Sequence, residues 1–296
     1  MLINVLGIIN KGKEMSEWFT PTPEHVVRQG DILIRMQEGS SSIRDTYLVI
    51  TADCDINKYK FGTHLACLKI ISFEAYVRNI WAGAKLEKVI QVASKELREQ
   101  AAKWHKLALG EESGLTTESV SRWALGATST EICDALSIPN TERAKFVKSV
   151  ESFKAANNKI KSLVDCDPLT HLAEYTAELK NQPLDSTWTK LLQQAQGESL
   201  PEDVFILSNL PQIDYQGAII LLRELHPIAY SDVYYRASDA RAKSAFLRAG
   251  RLEPQFKYAV SQSFGTLYSR IGLSTDYEKR RKAVVDSVAS FANPKE

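Results

Sequence analysis

From Gln29 to Ile71 short apolar runs alternate with turn signals. Gln29-Gly30 precedes Asp31-Ile32-Leu33-Ile34-Arg35, Gly39-Ser40-Ser41-Ser42 precedes Tyr47 to Thr51, and Gly62 precedes His64 to Ile71. This hairpin-like spacing predicts three strands. The period then changes. From about Phe73 to Leu109 apolar residues recur at helical spacing (Val77, Ile80, Trp81, Ala84, Val89, Val92, Leu97, Ala101, Trp104), and Gly110 is the expected stop. Thr128 and Glu131 make a capping box ahead of Ile132 to Leu136. Asn140-Thr141-Glu142 opens a helix that carries Phe146, Val150, Phe153 and Ile160 to about Leu163. Asp167-Pro168 opens another with Leu172 and Leu179, and a short one runs from Trp188 to Leu192 before Gly197. Residues 73–197 are therefore expected to be wholly helical. Strand character returns at Val204 to Leu207, Gly217 to Leu222 and His226 to Tyr230. Asp239 to Gly250, Pro254 to Ile271 and Thr275 to Phe291 read as helices.

Neither strand group alone makes a convincing sheet. Pairing the two groups closes edges that would otherwise be exposed. The expected architecture is α+β: a barrel whose first strands lie in 1–72 and whose last lie in 198–235. A helical insertion occupies 73–197, and helices at 236–296 pack on the barrel. Two α+β domains in series are the alternative.

Composition is that of an ordinary globular chain, 44% hydrophobic and 25% charged. Cys54, Cys67, Cys133 and Cys166 form no CxxC pair, which argues against structural zinc and for reduced thiols in the cytoplasm. No window reaches the roughly 18 apolar residues of a membrane span. The opening MLINVLGIIN lacks a basic segment and a cleavage site, so neither membrane insertion nor secretion is expected, and Met15 offers a second start. Net charge is +1, but Arg236 to Lys282 holds eleven Lys/Arg against four Asp/Glu, a local +7 that leaves −6 for the rest. A region so basic is suited to phosphates or an acidic partner; a solvated helix face is the plainer account.

Candidate chemistry centres on Tyr47 to Ile56, where an aliphatic run stops at Asp53-Cys54-Asp55. On a strand, Asp53 and Asp55 share one face and Cys54 takes the other. With Asp31 and His64 these carboxylates could converge as oxygen ligands for Mg²⁺ or Mn²⁺, the setting for metal-assisted phosphodiester cleavage. Otherwise Asp31 and Asp55 cap turns and Cys54 fills the core. Flanking carboxylates disfavour a thiolate at Cys54. No nucleophile elbow, Walker A or dinucleotide-binding glycine pattern occurs.

The strands Gly30-Asp31-Ile32, Leu48-Val49-Ile50 and Leu65 to Ile71, with Arg44 before the second, resemble the SH3-like barrels of PemK/MazF-type toxins. That resemblance implies RNA cleavage with Arg44 and a hydroxyl at the end of the following strand, for which Ser72, one place beyond the matching Ile71, is the candidate. A second resemblance is to poorly characterised bacterial proteins with a Cys-Asp pair after the aliphatic strand, a short strand ending in Leu-Pro and a helix with Arg-Ile-Gly. Here these are Cys54-Asp55, Phe205 to Pro211 and Arg270-Ile271-Gly272. It implies an SH3-like barrel in a component of phage-defence or stress loci, whose partner is a protein from the same operon or a nucleic acid. Asp53, Cys54, Asp55 and Arg270 are then its binding residues, Arg270 capping its helix or reaching the barrel mouth.

Two helical motifs add alternatives. Arg98 and His105 stand two turns apart and resemble the Arg-x6-His motif of HEPN ribonucleases. Gly126 to Ile138 with the following helix resembles a helix-turn-helix, with Arg143, Lys145 and Lys148 towards phosphates. Arg248 and Arg251 are further phosphate candidates in the basic region. The expected function is a non-catalytic binding or sensor component with no cofactor. An RNA endonuclease and a DNA-binding regulator are the alternatives.

Overall fold

In the computed structural model the chain separates into two compact units, Met1–Ser72 with Leu200–Glu296, and Phe73–Ser199. The structure describes residues 16–23, 26–36, 45–110, 114–161, 167–213, 217–239, 245–269, 276, 279–280 and 282–284. In chain order, the first unit opens with β1 (Trp18–Phe19), β2 (Asp31–Arg35), β3 (Thr46–Val49), α1 (Asp53–Asn57) and β4 (His64–Ser72). The second unit holds α2 (Phe73–Ala75), a π-helical turn at Tyr76–Trp81, α3 (Ala82–Leu109), α4 (Thr117–Gly126), α5 (Ser129–Ala135), α6 (Asn140–Lys161), α7 (Pro168–Lys180) and α8 (Leu184–Gly197). The first unit resumes with β5 (Val204–Leu207), β6 (Ala218–Ala229), β7 (Val233–Tyr234), β8 (Phe246–Leu252) and α9 (Pro254–Ser269).

The strands form a curled, half-barrel sheet in the order β1-β8-β2-β3-β4-β6-β5, antiparallel along this path, with β7 parallel beside β8. Early and late strands are thus interleaved: β2 pairs β8, and β4 pairs β6 from His64↔Ala229 to Ser72↔Ala218. Alternation explains the double-sided burial. Ile32, Leu48, Leu68 and Ile70 join Ile220, Leu222, Val260 and Leu267 on one face, under α9. Leu33, Tyr47, Val49, Leu65 and Cys67 join Ile56, Ile228 and Phe246 on the other. The register shift at Ile32/Leu33 leaves Ala249 of β8 as the extra residue of a bulge, which adds local bend and twist, and a larger irregularity at Leu68/Lys69 leaves Leu222 to Glu224 of β6 unmatched.

The loop after β5 reaches back to the opposite edge of the sheet. Asn209 accepts a 2.7 Å hydrogen bond from the Trp18 indole, and Glu17 accepts one of 2.7 Å from the Ser208 amide. Pro211 lies so close to Gly250 that a Cβ there would sit 2.7 Å from its Cγ.

In the second unit the starts of α4, α5 and α7 are closed by nearby side chains. Thr116 with Ser119 and Thr128 with Glu131 make capping boxes before α4 and α5, and Asp167 caps α7 with Pro168 at its first turn. Phe146, Val150 and Phe153 of α6 pack with Leu97, Val120, Ile132 and Cys133 in this unit's core. Among the described residues no helix is long and apolar enough to cross a membrane.

Three expectations need correction. Asp53-Cys54-Asp55 does not prolong β3; it begins the short helix α1, so the two acids do not share a strand face. Phe246 to Gly250, expected at the end of a helix, belongs to β8, so 236–296 is not helical throughout. His226 to Ala229 continues β6 and is not a separate piece. The predicted helix from Thr275 to Phe291 lies largely outside the described residues.

Candidate functional site

The chemistry-bearing residues of the sheet unit gather where the 28–30 turn, the start of β2, α1, β8 and α9 meet. β2 begins with a carboxylate on a strand buried on both faces, and Asp31 is 0% exposed. A charge so placed requires partners. Arg251 supplies a bidentate pair, Nε and Nη2 donating at 2.5 and 3.0 Å, and the Arg28 amide donates at 2.9 Å. Arg248, its side chain only 2% exposed, stands 3.8 Å away. Burial raises the Asp31 carboxyl above its ordinary value, and the Arg251 guanidinium opposes that shift. Burial likewise lowers Arg248. Both arginines also hold the segment ahead of β2: Arg248 donates to the carbonyls of Thr22 and Val26, Arg251 to that of Val26. Tyr235 stacks against Arg248, its ring centre 4.5 Å from the guanidinium carbon.

A second pair adjoins the first through consecutive amides. Asp53 accepts from the Gln29 amide and from Lys257 Nζ, both at 2.9 Å. Its partial burial works to raise the carboxyl, and the lysine and amide more than offset that, holding it below the usual range. Gly30, with φ of 89°, makes room for Lys257: a Cβ there would meet the lysine methylenes at 3.2 Å. Gln29 bridges the Ile50 carbonyl and Ser261 Oγ, and Arg28 reaches Asn57.

The acid set is thus only partly brought together. Asp31 and Asp53 are near one another, but protein cations occupy their oxygens and supply the charge a divalent cation would bring. Asp55 is half-buried beside the exposed Cys54, whose Sγ lies 3.7 Å from its carboxylate. His64 contacts Thr63 at the exposed start of β4. Among the described residues no group of three or more His, Cys, Asp or Glu is placed to hold a metal ion. Arg248 and Arg251, expected on a basic helix surface, are strand residues turned inward. Ser72 is the last residue of β4, half-buried opposite Ala218. Arg44 and Arg270 lie outside the described residues.

In the helical unit Arg98 donates to the Leu115 carbonyl at 3.3 Å, anchoring the approach to α4. His105 is half-buried two turns on, its Nδ1 without a hydrogen-bond partner. Arg143 is held by Asp134 at 2.6 Å and the Ile138 carbonyl at 2.9 Å, whereas Lys145 and Lys148 are exposed on α6. Lys257, Gln29 and Arg28 do not stand out in the sequence. The only available signal was a carboxylate at one end of each of two aliphatic runs, Asp31 and Asp53, read from the sequence as metal ligands or turn caps and found here to be held by distant cations.

Comparison with known proteins found no matching family model, curated protein or solved structure.

Proposed function

We propose that this chain is a non-catalytic binding or sensor component that contacts a nucleic acid or a protein. One observation carries this reading: the described ionisable residues clustered on the sheet unit are tied to one another. Asp31 serves Arg251 and Arg248, and Asp53 serves Lys257. A general acid, base or metal ligand needs an oxygen or nitrogen turned to a substrate. Asp31 and Arg248 are turned inward, the half-exposed Asp53 is held by Lys257, and the ties fasten β2, α1, β8 and α9 into one scaffold. The resemblance to proteins of bacterial phage-defence or stress loci supports a component role of this kind, with an SH3-like barrel split by the helical segment.

The test is incubation of the wild-type chain with labelled RNA and DNA, with and without Mg²⁺ or Mn²⁺. Retention without strand cleavage is expected. Cleavage that disappears in Arg44→Ala or His105→Ala would instead assign a ribonuclease.

A second reading has its own observation. α5 and α6 are joined through Ser137, whose φ of 51° supplies a left-handed turn between the helices. With Lys145 and Lys148 exposed, this pair suits a helix-turn-helix regulator in which α6 meets duplex DNA. A mobility shift of duplex DNA lost in Lys145→Ala/Lys148→Ala would select it.

A further inference from the structure

The turn after α1 reads Lys58-Tyr59-Lys60-Phe61-Gly62. Lys58, Tyr59 and Lys60 are all exposed, and the tyrosine is 78% exposed. Its φ is 52°, a conformation that bulky residues rarely adopt. It is the left-handed position of a Schellman cap that closes α1. The turn is well anchored: the amides of Lys58, Tyr59 and Lys60 donate to the carbonyls of Cys54, Ile56 and Asp55 at 3.2, 3.2 and 2.8 Å. The backbone thus holds Tyr59 outward in a fixed place.

Behind it stands a row of rings. Tyr59 lies 6.4 Å from Phe61, and Phe61 5.3 Å from Tyr230. Phe61, Tyr230 and Tyr235 are half-buried against the sheet core, so the row has a rigid inner wall and one free outer member. The acids of the preceding helix are Asp53, already held by Lys257, and half-buried Asp55.

A ring flanked by two exposed ammonium groups is the minimal pattern for a stacked base with a phosphate on either side. Resting on the binding role above, we propose that Lys58, Tyr59 and Lys60 form a contact site for single-stranded nucleic acid, with a base stacked on Tyr59 and phosphates on the two lysines. Bases in a duplex are already stacked, which makes a single strand the better occupant. Neither contact involves the 2′-hydroxyl or a base edge, so RNA and DNA strands should bind alike.

The test is fluorescence anisotropy of labelled oligo-U, oligo-dT and a duplex of equal length with the full chain, over a salt series. Both single strands are expected to bind with similar affinity and more tightly than the duplex. Tyr59→Gly should weaken binding about tenfold, within the range for loss of one stacked base. Its melting temperature should not fall by more than a few degrees, because glycine accepts this φ. Tyr59→Phe should bind as the wild type does. Lys58→Ala/Lys60→Ala should reduce the slope of log affinity against log salt by about 1.4, the value for two phosphate contacts on a single strand. Unchanged affinity in Tyr59→Gly, or no binding by the wild type, overturns the site. Binding that persists in Tyr59→Gly and vanishes in Lys145→Ala/Lys148→Ala overturns the site and leaves the binding role intact. Strand cleavage by the wild type overturns the binding role, while a Tyr59 effect on affinity would still uphold the site.

Discussion

In the helical unit, capping side chains reach three residues along the chain: Thr116 to Ser119, Thr128 to Glu131, Asp167 to Thr170. In the sheet unit polar side chains join residues most of the chain apart. Arg251 meets Asp31 from 220 residues away, Lys257 meets Asp53 from 204, and Trp18 meets Asn209 from 191. A local cap closes almost no loop and can be lost alone. A distant tie forms only after a long stretch of chain is ordered, and its loss touches every element it joins. The two units should therefore respond differently to removal of one polar group, strongly and globally in the sheet, weakly and locally in the helices.

The largest expected effect is at Asp31. Asp31→Ala leaves Arg248 and Arg251 as buried or nearly buried cations without their carboxylate, a loss of about 3–5 kcal/mol by analogy with broken buried pairs. Urea unfolding of the two proteins measures it. A loss below about 1 kcal/mol, the range of surface pairs, would remove the contrast between the units. Next is Gly250→Ala. The new Cβ meets the Pro211 ring where 2.7 Å is available, so β8 or the loop after β5 must shift. Overpacking of this kind costs about 1–3 kcal/mol. If the melting temperature were unchanged, the loop would not be seated against β8 in solution.

The same contrast explains what the sequence revealed. The capping box at Thr128/Glu131, the Asp167-Pro168 start and the Gly110 stop are all local patterns, and each stands where the periodicity placed it. β2, β3 and β4 were visible for a related reason, since their own residues alternate between the two cores. β8 was not. Phe246-Leu247-Arg248-Ala249-Gly250-Arg251-Leu252 is rich in helix formers, and pairing with β2 and β1 overrides that local preference. The roles of Arg248 and Arg251 were hidden with it: charged residues in a basic stretch look solvated until a distant buried acid claims them. Asp53 and Asp55 were misplaced for the opposite reason, because an aliphatic run contains nothing that marks where its strand gives way to a helical turn.

A smaller effect is expected at Asp167. Its carboxylate accepts from the amides of Leu169 and Thr170 at 3.1 and 3.2 Å, and Arg78 adds an ion pair at 3.3 Å. Asp167→Ala should cost about 1 kcal/mol, the typical worth of an N-cap. Hydrogen exchange should quicken in the first turn of α7 and remain unchanged in β2 and β8. Faster exchange in the strands would show that the cap is coupled to the sheet and blur the distinction between the units.

The smallest effect concerns Glu198, a polar group of the helical unit that does reach far along the chain. It accepts from Lys85 at 2.6 Å, from the Trp81 indole at 2.9 Å and from Gln194 at 2.9 Å, joining the end of α8 to the start of α3. The lysine, then the indole and amide donors, hold its carboxyl down to about 2 from an ordinary value of 4.5. A folded value below the unfolded one means that the unfolded chain binds the proton more readily. The stabilisation is therefore complete above about 4.5 and is lost as pH falls through about 2. Glu198→Gln should melt slightly below the wild type at neutral pH, with the gap closing on acidification over that interval. With Lys85 30% and Glu198 37% exposed the pair is screened by solvent, so added salt should narrow the gap as well. A gap that persisted at pH 2 would mean that the glutamate acts through packing on Trp81, and that distance along the chain, more than charge, sets the worth of a polar tie.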